Sequence, residues 1–488
     1  KIYMEIQLLD IIVFLIFTIG TVLFGTSFIG KNKNASDYTQ GGGSMPGFIV
    51  GMSIFATYVS SISFLALPGS AYLGNWNSFV FSLSIPIASI LAAKYFVPFY
   101  RKIESPSAYS FLEERFGYWA RAYAAICYLL TQIARIGSVL FLLALPLHAM
   151  LGWSVPLIIV VSGICVIFYS VLGGIKAVIW TDAIQGMILI AGAIICLIVL
   201  WIKIPGGINT FFEMGIEFDK FSLGGFDFSL NMPTFWVTLI YGIFINLQNY
   251  GIDQNYVQRY KTTKDEKSAK FSALFGGFLY LPVSLFFFLI GTSLFVFYKS
   301  FPGILPDNIS SDQVFPYFIV TGLPMGFTGL LIAAIFAAGM STVATSINSG
   351  ATVILTDFLQ RGKPVMEEKK KMKILYFASF ILGVLGVLIG LAMMTVKSAL
   401  DAWWSLAGIF SGGMLGLFLL GYISTNVKGK YALVGTICGI ILIAWISLSG
   451  QTVFHNYMTI VLGTIVIFCI GFFLSIIASR LTKKSVQN

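Results

Sequence analysis

Charge is scarce in this sequence. Of its 488 residues only 10% are Asp, Glu, Lys or Arg, against about 25% in soluble domains. That shortage excludes an ordinary soluble globular protein. Histidine occurs twice, at His148 and His455, both near the ends of apolar runs, so no histidine metal cluster is on offer. The five cysteines (Cys127, Cys165, Cys196, Cys438 and Cys469) all lie inside apolar runs. They form neither a disulfide framework nor a zinc site and read as small hydrophobic packing residues. A convergent set of nucleophile, base and metal ligands, which a membrane enzyme would need, is also missing.

What is present is apolar: 57% of the residues are hydrophobic and 45 are Phe. Thirteen apolar runs fall at about 8–30, 46–73, 77–99, 118–150, 153–172, 177–202, 233–256, 270–298, 325–358, 373–396, 401–424, 430–450 and 454–479. Runs of this length span a bilayer as helices. The first is preceded by Lys1 and Glu5 and has no small-residue cleavage site, so a membrane helix is expected rather than a cleaved signal peptide. The expectation is an all-α polytopic membrane protein in a single transmembrane domain (1–488), with the lipid bilayer as its surroundings and no obligate protein partner.

The net charge of +10 does not point to nucleic acid. With the N-terminus outside, 23 of the 30 basic residues fall on inside segments and five (Lys1, Lys203, Lys220, Lys299 and Lys397) on outside ones. That asymmetry satisfies the positive-inside rule. It predicts a multi-pass protein of the cell (inner or plasma) membrane with a cytoplasmic C-terminus. Arg121 and Arg259 belong to the inside set in this count. Two long outside loops, about 203–232 and 299–324, are rich in Gly, Pro, Phe and Asp and predict short helices over an outer mouth.

Two spans carry polar runs that a spanning helix does not need. Residues 53–63 hold Ser53, Thr57, Ser60, Ser61 and Ser63 together with Tyr58, and residues 246–256 read NLQNYGIDQNY. Irregular backbone at membrane depth survives only where it lines a cavity or is buried in protein. Paired interrupted helices in corresponding positions of two halves point to a transporter site. The two segments are five spans apart, so the second enters from the opposite side. That predicts an inverted repeat of about 46–202 and 233–424, with one extra helix before it and two after. Close helix packing by small polar residues is the competing explanation.

Three further features lie inside apolar sequence. Arg135 sits in LLTQIARIGSVLF; an ionised guanidinium there costs from about 3 kcal/mol to 10 or more, depending on the scale, and cannot escape by deprotonation. Asp182 lies a turn or more inside its span and needs a cation, a water network or Arg135 itself. Ser341, Thr342, Thr345, Ser346 and Ser349 form a ladder at helical spacing. Its hydroxyls, with carbonyls freed near residues 56–59, make neutral oxygen ligands of the kind a hard cation prefers.

Several stretches together resemble the sodium:solute symporter family. They are DYTQGGGSMPGF (37–48), ATYVSSISF (56–64), SAYSFLEERFG (107–117), YSVLGGIKAVIWTD (169–182), NYVQRY (255–260) and FAAGMSTVATSINS (336–349). The GG-x-x-AV-x-WTD element is highly specific, and the SSISF string and the arginine of QIARIG resemble the bacterial sialic acid–sodium symporters. The resemblance implies a five-plus-five inverted-repeat (LeuT-type) fold, alternating access, sodium as the coupling ion and a small-molecule substrate, sialic acid (N-acetylneuraminate). It maps the main sodium site to backbone oxygens of Ala56, Val59 and Ala338 and hydroxyls of Ser341 and Thr342. It maps a second sodium site to Asp182, Ser341, Ala344 and Thr345, where Ala344 lacks the hydroxyl of the subgroup's serine. It maps the substrate to Arg135 for the carboxylate, with Ser60, Ser63, Tyr58, Ser82 and Asn246 around it; Tyr58 and Ser82 stand where the subgroup has Thr and Gln. Other cargoes remain open: proline, pantothenate, a short monocarboxylate or a neutral sugar. A membrane sensor on the same fold is disfavoured, since no soluble domain is expected after Asn488.

Overall fold

A computed structural model of the chain describes residues 8–27, 34–59, 62–307, 309–361, 366–396, 399–448 and 453–487. Nineteen α-helices carry the fold. They are α1 (Leu8–Thr26), α2 (Ala35–Gln40), α3 (Gly47–Tyr58), α4 (Leu67–Leu73), α5 (Phe79–Leu91), α6 (Val97–Lys102), α7 (Ser110–Phe116), α8 (Tyr118–Leu151), α9 (Val155–Lys203), α10 (Gly207–Glu217), α11 (Phe235–Ile252), α12 (Gln254–Thr262), α13 (Glu266–Ser300), α14 (Ser311–Gly322), α15 (Phe327–Val353), α16 (Glu368–Ala392), α17 (Ala399–Ile423), α18 (Gly429–Leu448) and α19 (Met458–Gln487). No strand occurs among the described residues; an isolated bridge pairs Met45 with Thr263.

Ten helical stretches among the described residues are long and apolar enough to cross a membrane, and the bent pair α3–α4 adds an eleventh. The expected count of thirteen is not reached by length and apolarity alone. The first half of α9 contributes only a shorter apolar stretch, Val155–Ile167. The other shortfall is α11, whose last turns are the polar sequence NLQNYGI. At 49 residues α9 would be roughly 74 Å long if straight, more than twice the ~30 Å hydrocarbon core. It is interrupted at Gly174, whose φ of 61° and ψ of 178° suit a residue without Cβ.

Both anticipated breaks are present. The first helix ends at Tyr58; Val59 leaves helical geometry (φ −79°, ψ 89°), and the axis turns by 57° before the chain continues into α4. The second break falls at Asp253 (φ −71°, ψ 128°), between α11 and α12. There the Asp253 carboxylate caps α12 by accepting from the Asn255 N–H at 2.8 Å. The Met45 N–H donates to the Thr262 carbonyl at 2.9 Å, so the chain entering the first broken span is held against the end of the second.

Small residues let the surrounding helices close on this pair. A Cβ on Gly276 of α13 would stand 2.7 Å from Ile54 Cγ2 and 3.0 Å from the Gly51 carbonyl of α3. The ladder helix α15 is buried along nearly its whole length, so its hydroxyls face protein rather than lipid. Each long loop carries a short helix, α10 in one and α14 in the other. Lys220, in the first loop, donates to the Tyr72 and Gly74 carbonyls at 2.7 and 2.8 Å and fastens that loop over the end of α4. Burial, and then the neighbouring Lys299, hold its ammonium down to about 8.

Two arginines counted on inside segments, Arg121 and Arg259, are buried in the helix assembly. Arg121 is buried between Asp357 (2.5 Å) and Glu113 (2.8 Å). Arg259 is fully buried, because all but Lys261 of the nine-residue α12 packs inside the helix assembly.

Candidate substrate and sodium sites

A cavity of about 60 Å³ lies between the two helix breaks. Its walls include Tyr58 and Ser63 from the first broken span, Gln248 and Asp253 from the second, and Gln132 and Arg135 from α8. Trp404 and Ser411 of α17 complete it. The volume accommodates a few waters and is below the roughly 300–1,000 Å³ of a typical small-molecule pocket. Three buried polar atoms on these walls, Gln132 Nε2, Gln248 Nε2 and Ser411 Oγ, have no hydrogen-bond partner.

Arg135 reaches this cavity from the middle of α8. Its Nη2 donates to the Thr57 carbonyl at 2.5 Å, in the last turn of α3, where the break leaves carbonyls without helical donors. A cation at a helix C-terminus is favoured by the helix dipole. Among the described residues no carboxylate forms an ion pair with Arg135.

The alternative pairing of Arg135 with Asp182 is not formed. Asp182 Oδ2 accepts from Arg259 Nη2 at 2.7 Å and from Ser53 Oγ at 2.6 Å. Arg259 also donates to Ser53 Oγ (2.8 Å), the Asn255 carbonyl (2.9 Å) and Thr345 Oγ1 (3.1 Å). Both charged side chains are almost completely buried, at 0% and 1% exposure. Two members of the expected second sodium set, Asp182 and Thr345, therefore already hold a cation that belongs to the protein, while Asp182 Oδ1 has no partner.

The remaining expected substrate residues divide. Tyr58 and Ser63 line the cavity. The Tyr58 hydroxyl donates to Asn246 Oδ1, and Ser63 accepts from the Tyr280 hydroxyl at 3.4 Å. Ser82 and Asn246 lie off the cavity wall. Ser82 Oγ meets Ser284 Oγ at 2.7 Å, and Asn246 is buried behind Tyr58, donating to Ser84 Oγ at 2.8 Å. The reason is helical phase. On α11 the cavity takes Tyr241, Ile245, Gln248 and Asn249, a stripe at spacings of three and four, and residue 246 points to the neighbouring side. On α5, likewise, Phe81 lines the cavity and the next residue turns away. Ser60 lies outside the described residues.

The residues of the expected main sodium set lie on two helices that pack together. Ala56 and Val59 are buried at the end of α3, which packs against α15. Ala338, Ser341 and Thr342 are buried mid-way along α15, with Thr342 Oγ1 donating to the Ala338 carbonyl at 3.0 Å. Carbonyls from an interrupted helix and two hydroxyls are hard, neutral donors suited to a small cation. Among the described residues no group of three or more His, Cys, Asp or Glu could hold a metal ion.

Sequence reasoning missed Arg259, Gln132, Gln248 and Asp253. Arg259 was concealed by its position in a polar, basic stretch that looks like the start of a loop. The available signal was Asp182, since a buried acid demands a buried cation.

An all-helical membrane domain with two interrupted helices meeting at a polar cavity is the architecture of a secondary transporter. Its family follows from comparison: the chain belongs to the Sodium:solute symporter family, whose profile matches residues 38–439. It is 34% identical over 452 residues to the sodium/sialic acid symporter NanT of Aliivibrio fischeri, covering 92% of this chain and 89% of that one. It is 37% identical over 426 residues to the sodium/sialic acid symporter SiaT of Proteus mirabilis, covering 86% of each. A solved Na+-coupled sialic acid symporter, substrate-bound and outward-open, superposes with a TM-score of 0.91 at 32% identity over 96% of this chain and 98% of that one.

Proposed function

We propose that this chain is a sodium-coupled symporter that imports a carboxylated sugar, sialic acid (N-acetylneuraminate), by alternating access. The observation that carries the reading is Arg135, a guanidinium on the cavity wall that forms no ion pair among the described residues, with the Asp253 carboxylate lining the same cavity. Arginine holds a carboxylate by two parallel charge-assisted hydrogen bonds. The similarity to two sialic acid symporters supports a sugar acid as the carboxylate's bearer. Sodium held by Ala56, Val59, Ala338, Ser341 and Thr342 would tie the end of α3 to α15. That bond would fix the break from which Tyr58 and Ser63 reach the cargo. Coupling is reciprocal, so sodium and cargo tighten each other by the same factor.

We read the transport unit as one sodium per cargo. Arg259 already neutralises Asp182, and Ala344 brings no hydroxyl to the second set. The inverted repeat runs over about 46–202 and 233–424, with the N-terminus outside and the C-terminus cytoplasmic, as the distribution of basic residues favours.

The test is sodium-dependent uptake of labelled sialic acid in proteoliposomes, with unlabelled proline, pantothenate, a short monocarboxylate and a neutral sugar as competitors. The expected result is uptake that requires sodium and is suppressed only by sialic acids. Suppression by a different acid, with no sialic acid uptake, would replace the cargo. Uptake of the neutral sugar alone would remove the role of Arg135.

A further inference from the structure

The cavity wall carries a donor that the mechanism above leaves unused. Gln132 sits three residues before Arg135 on α8, on the same helical face, fully buried and lining the same cavity. Its Oε1 accepts from Asn255 Nδ2 at 3.1 Å. Asn255 Oδ1 in turn accepts from the hydroxyls of Ser349 at 2.5 Å and Tyr128 at 3.2 Å. This relay, running from the α15 ladder through the second break to α8, engages the acceptor end of Gln132 and leaves Nε2 without a partner. Native proteins seldom leave a fully buried amide donor unanswered. A carboxylate offers about four lone-pair sites, of which the Arg135 fork fills two. Arg135 has also committed one Nη2 hydrogen to Thr57.

We propose that Gln132 is a specificity-determining residue of the cargo site, its Nε2 donating to the same carboxylate that Arg135 holds. This rests on the reading of the cargo as a carboxylate. It also explains the relay, in which Ser349, Tyr128 and Asn255 engage the acceptor end of the Gln132 amide and leave its donor end unpaired. They act as positioning residues and touch no cargo themselves.

The experiment compares N-acetylneuraminate with its C1 carboxamide as competitors of labelled N-acetylneuraminate, in proteoliposomes of the full chain, for wild type, Gln132→Glu and Gln132→Leu. Glu keeps the acceptor for Asn255 and replaces the donor by a charge that competes for Arg135; Leu removes both. Sodium-induced thermal stabilisation without cargo reports whether each variant is folded and binds the ion. The expected result is an affinity for the acid at least about tenfold weaker in both variants, as for a lost hydrogen bond to a charged group. The carboxamide should change less than about threefold, with sodium stabilisation retained. Equal losses for acid and carboxamide, or an unchanged affinity for the acid, would overturn the assignment. If wild type carries no sialic acid but carries another acid of the panel, the cargo identity fails, and the acid–amide comparison on that acid still decides Gln132. Transport of no carboxylate at all would overturn both.

Discussion

Arg259 on α12 and Arg135 on α8 are charges of the same sign in one helix assembly, and they are treated oppositely. Arg259 is enclosed by Asp182, Ser53, Thr345 and the Asn255 carbonyl. Arg135 has one backbone carbonyl of a broken helix and an open face on a cavity. A buried ion pair with good geometry contributes little net stability, but breaking it by removing one partner is severe. The Arg259–Asp182 pair thus behaves as a rivet between α12 and α9, the helices that bear the two side chains. Arg135 forms no ion pair among the described residues, with Asp253 lining the same cavity, and a guanidinium so placed can still take an anion. The difference in geometry is the ground for reading Arg259 as structural and for proposing Arg135 as the binding arginine.

The largest effect should come from the rivet. Arg259→Gln leaves Asp182 charged and buried, and is expected to destabilise the folded protein by ~3–5 kcal/mol. Thermal unfolding in detergent should show this, with Asp182→Asn in the same background restoring part of the loss. If Arg259→Gln instead unfolds normally and only sodium dependence changes, the pair belongs to the transport cycle and the contrast with Arg135 collapses. A smaller effect is expected at the neutral oxygens. Ser341→Ala should raise the sodium concentration for half-maximal uptake about tenfold, equivalent to ~1.4 kcal/mol; an unchanged sodium dependence would remove Ser341 from the ion site. The smallest expected effect is no effect. If Arg259 has taken the place of a second cation beside Asp182, one sodium and a monoanion move no net charge. Membrane potential, worth about 2.3 kcal/mol per charge per 100 mV, then leaves uptake unaltered. An inward current on adding sialic acid would show an additional cation.

Much of this architecture was legible in the sequence, for a physical reason. Bilayer-length apolar runs and two polar interruptions are local signals, and the breaks at Val59 and Asp253 fell inside the segments that carried them. Arg135 and Asp182 stood out because ionisable groups are rare in apolar sequence. Features that depend on how helices rotate against each other were not legible. Asn246 and Gln248 are two residues apart on α11, and only the packed helix shows that the cavity takes Gln248. Ser82 fails in the same way against Phe81. Arg259 was hidden for the opposite reason: its neighbours are polar, and burial of polar sequence is decided by tertiary packing alone. The span count fell short of thirteen at two places: the first half of α9 gives only the shorter apolar stretch Val155–Ile167, and α11 ends in polar residues that answer to a cavity rather than to lipid.

The central claim is that Arg135 is the handle for the cargo's carboxylate. The most direct measurement is the affinity for N-acetylneuraminate, at saturating sodium, of wild type and Arg135→Lys. Lysine keeps the charge and loses the planar fork. Binding should weaken by about 100-fold, or ~2.7 kcal/mol, while sodium-induced stabilisation without cargo is retained. Near-normal affinity in Arg135→Lys would contradict the account.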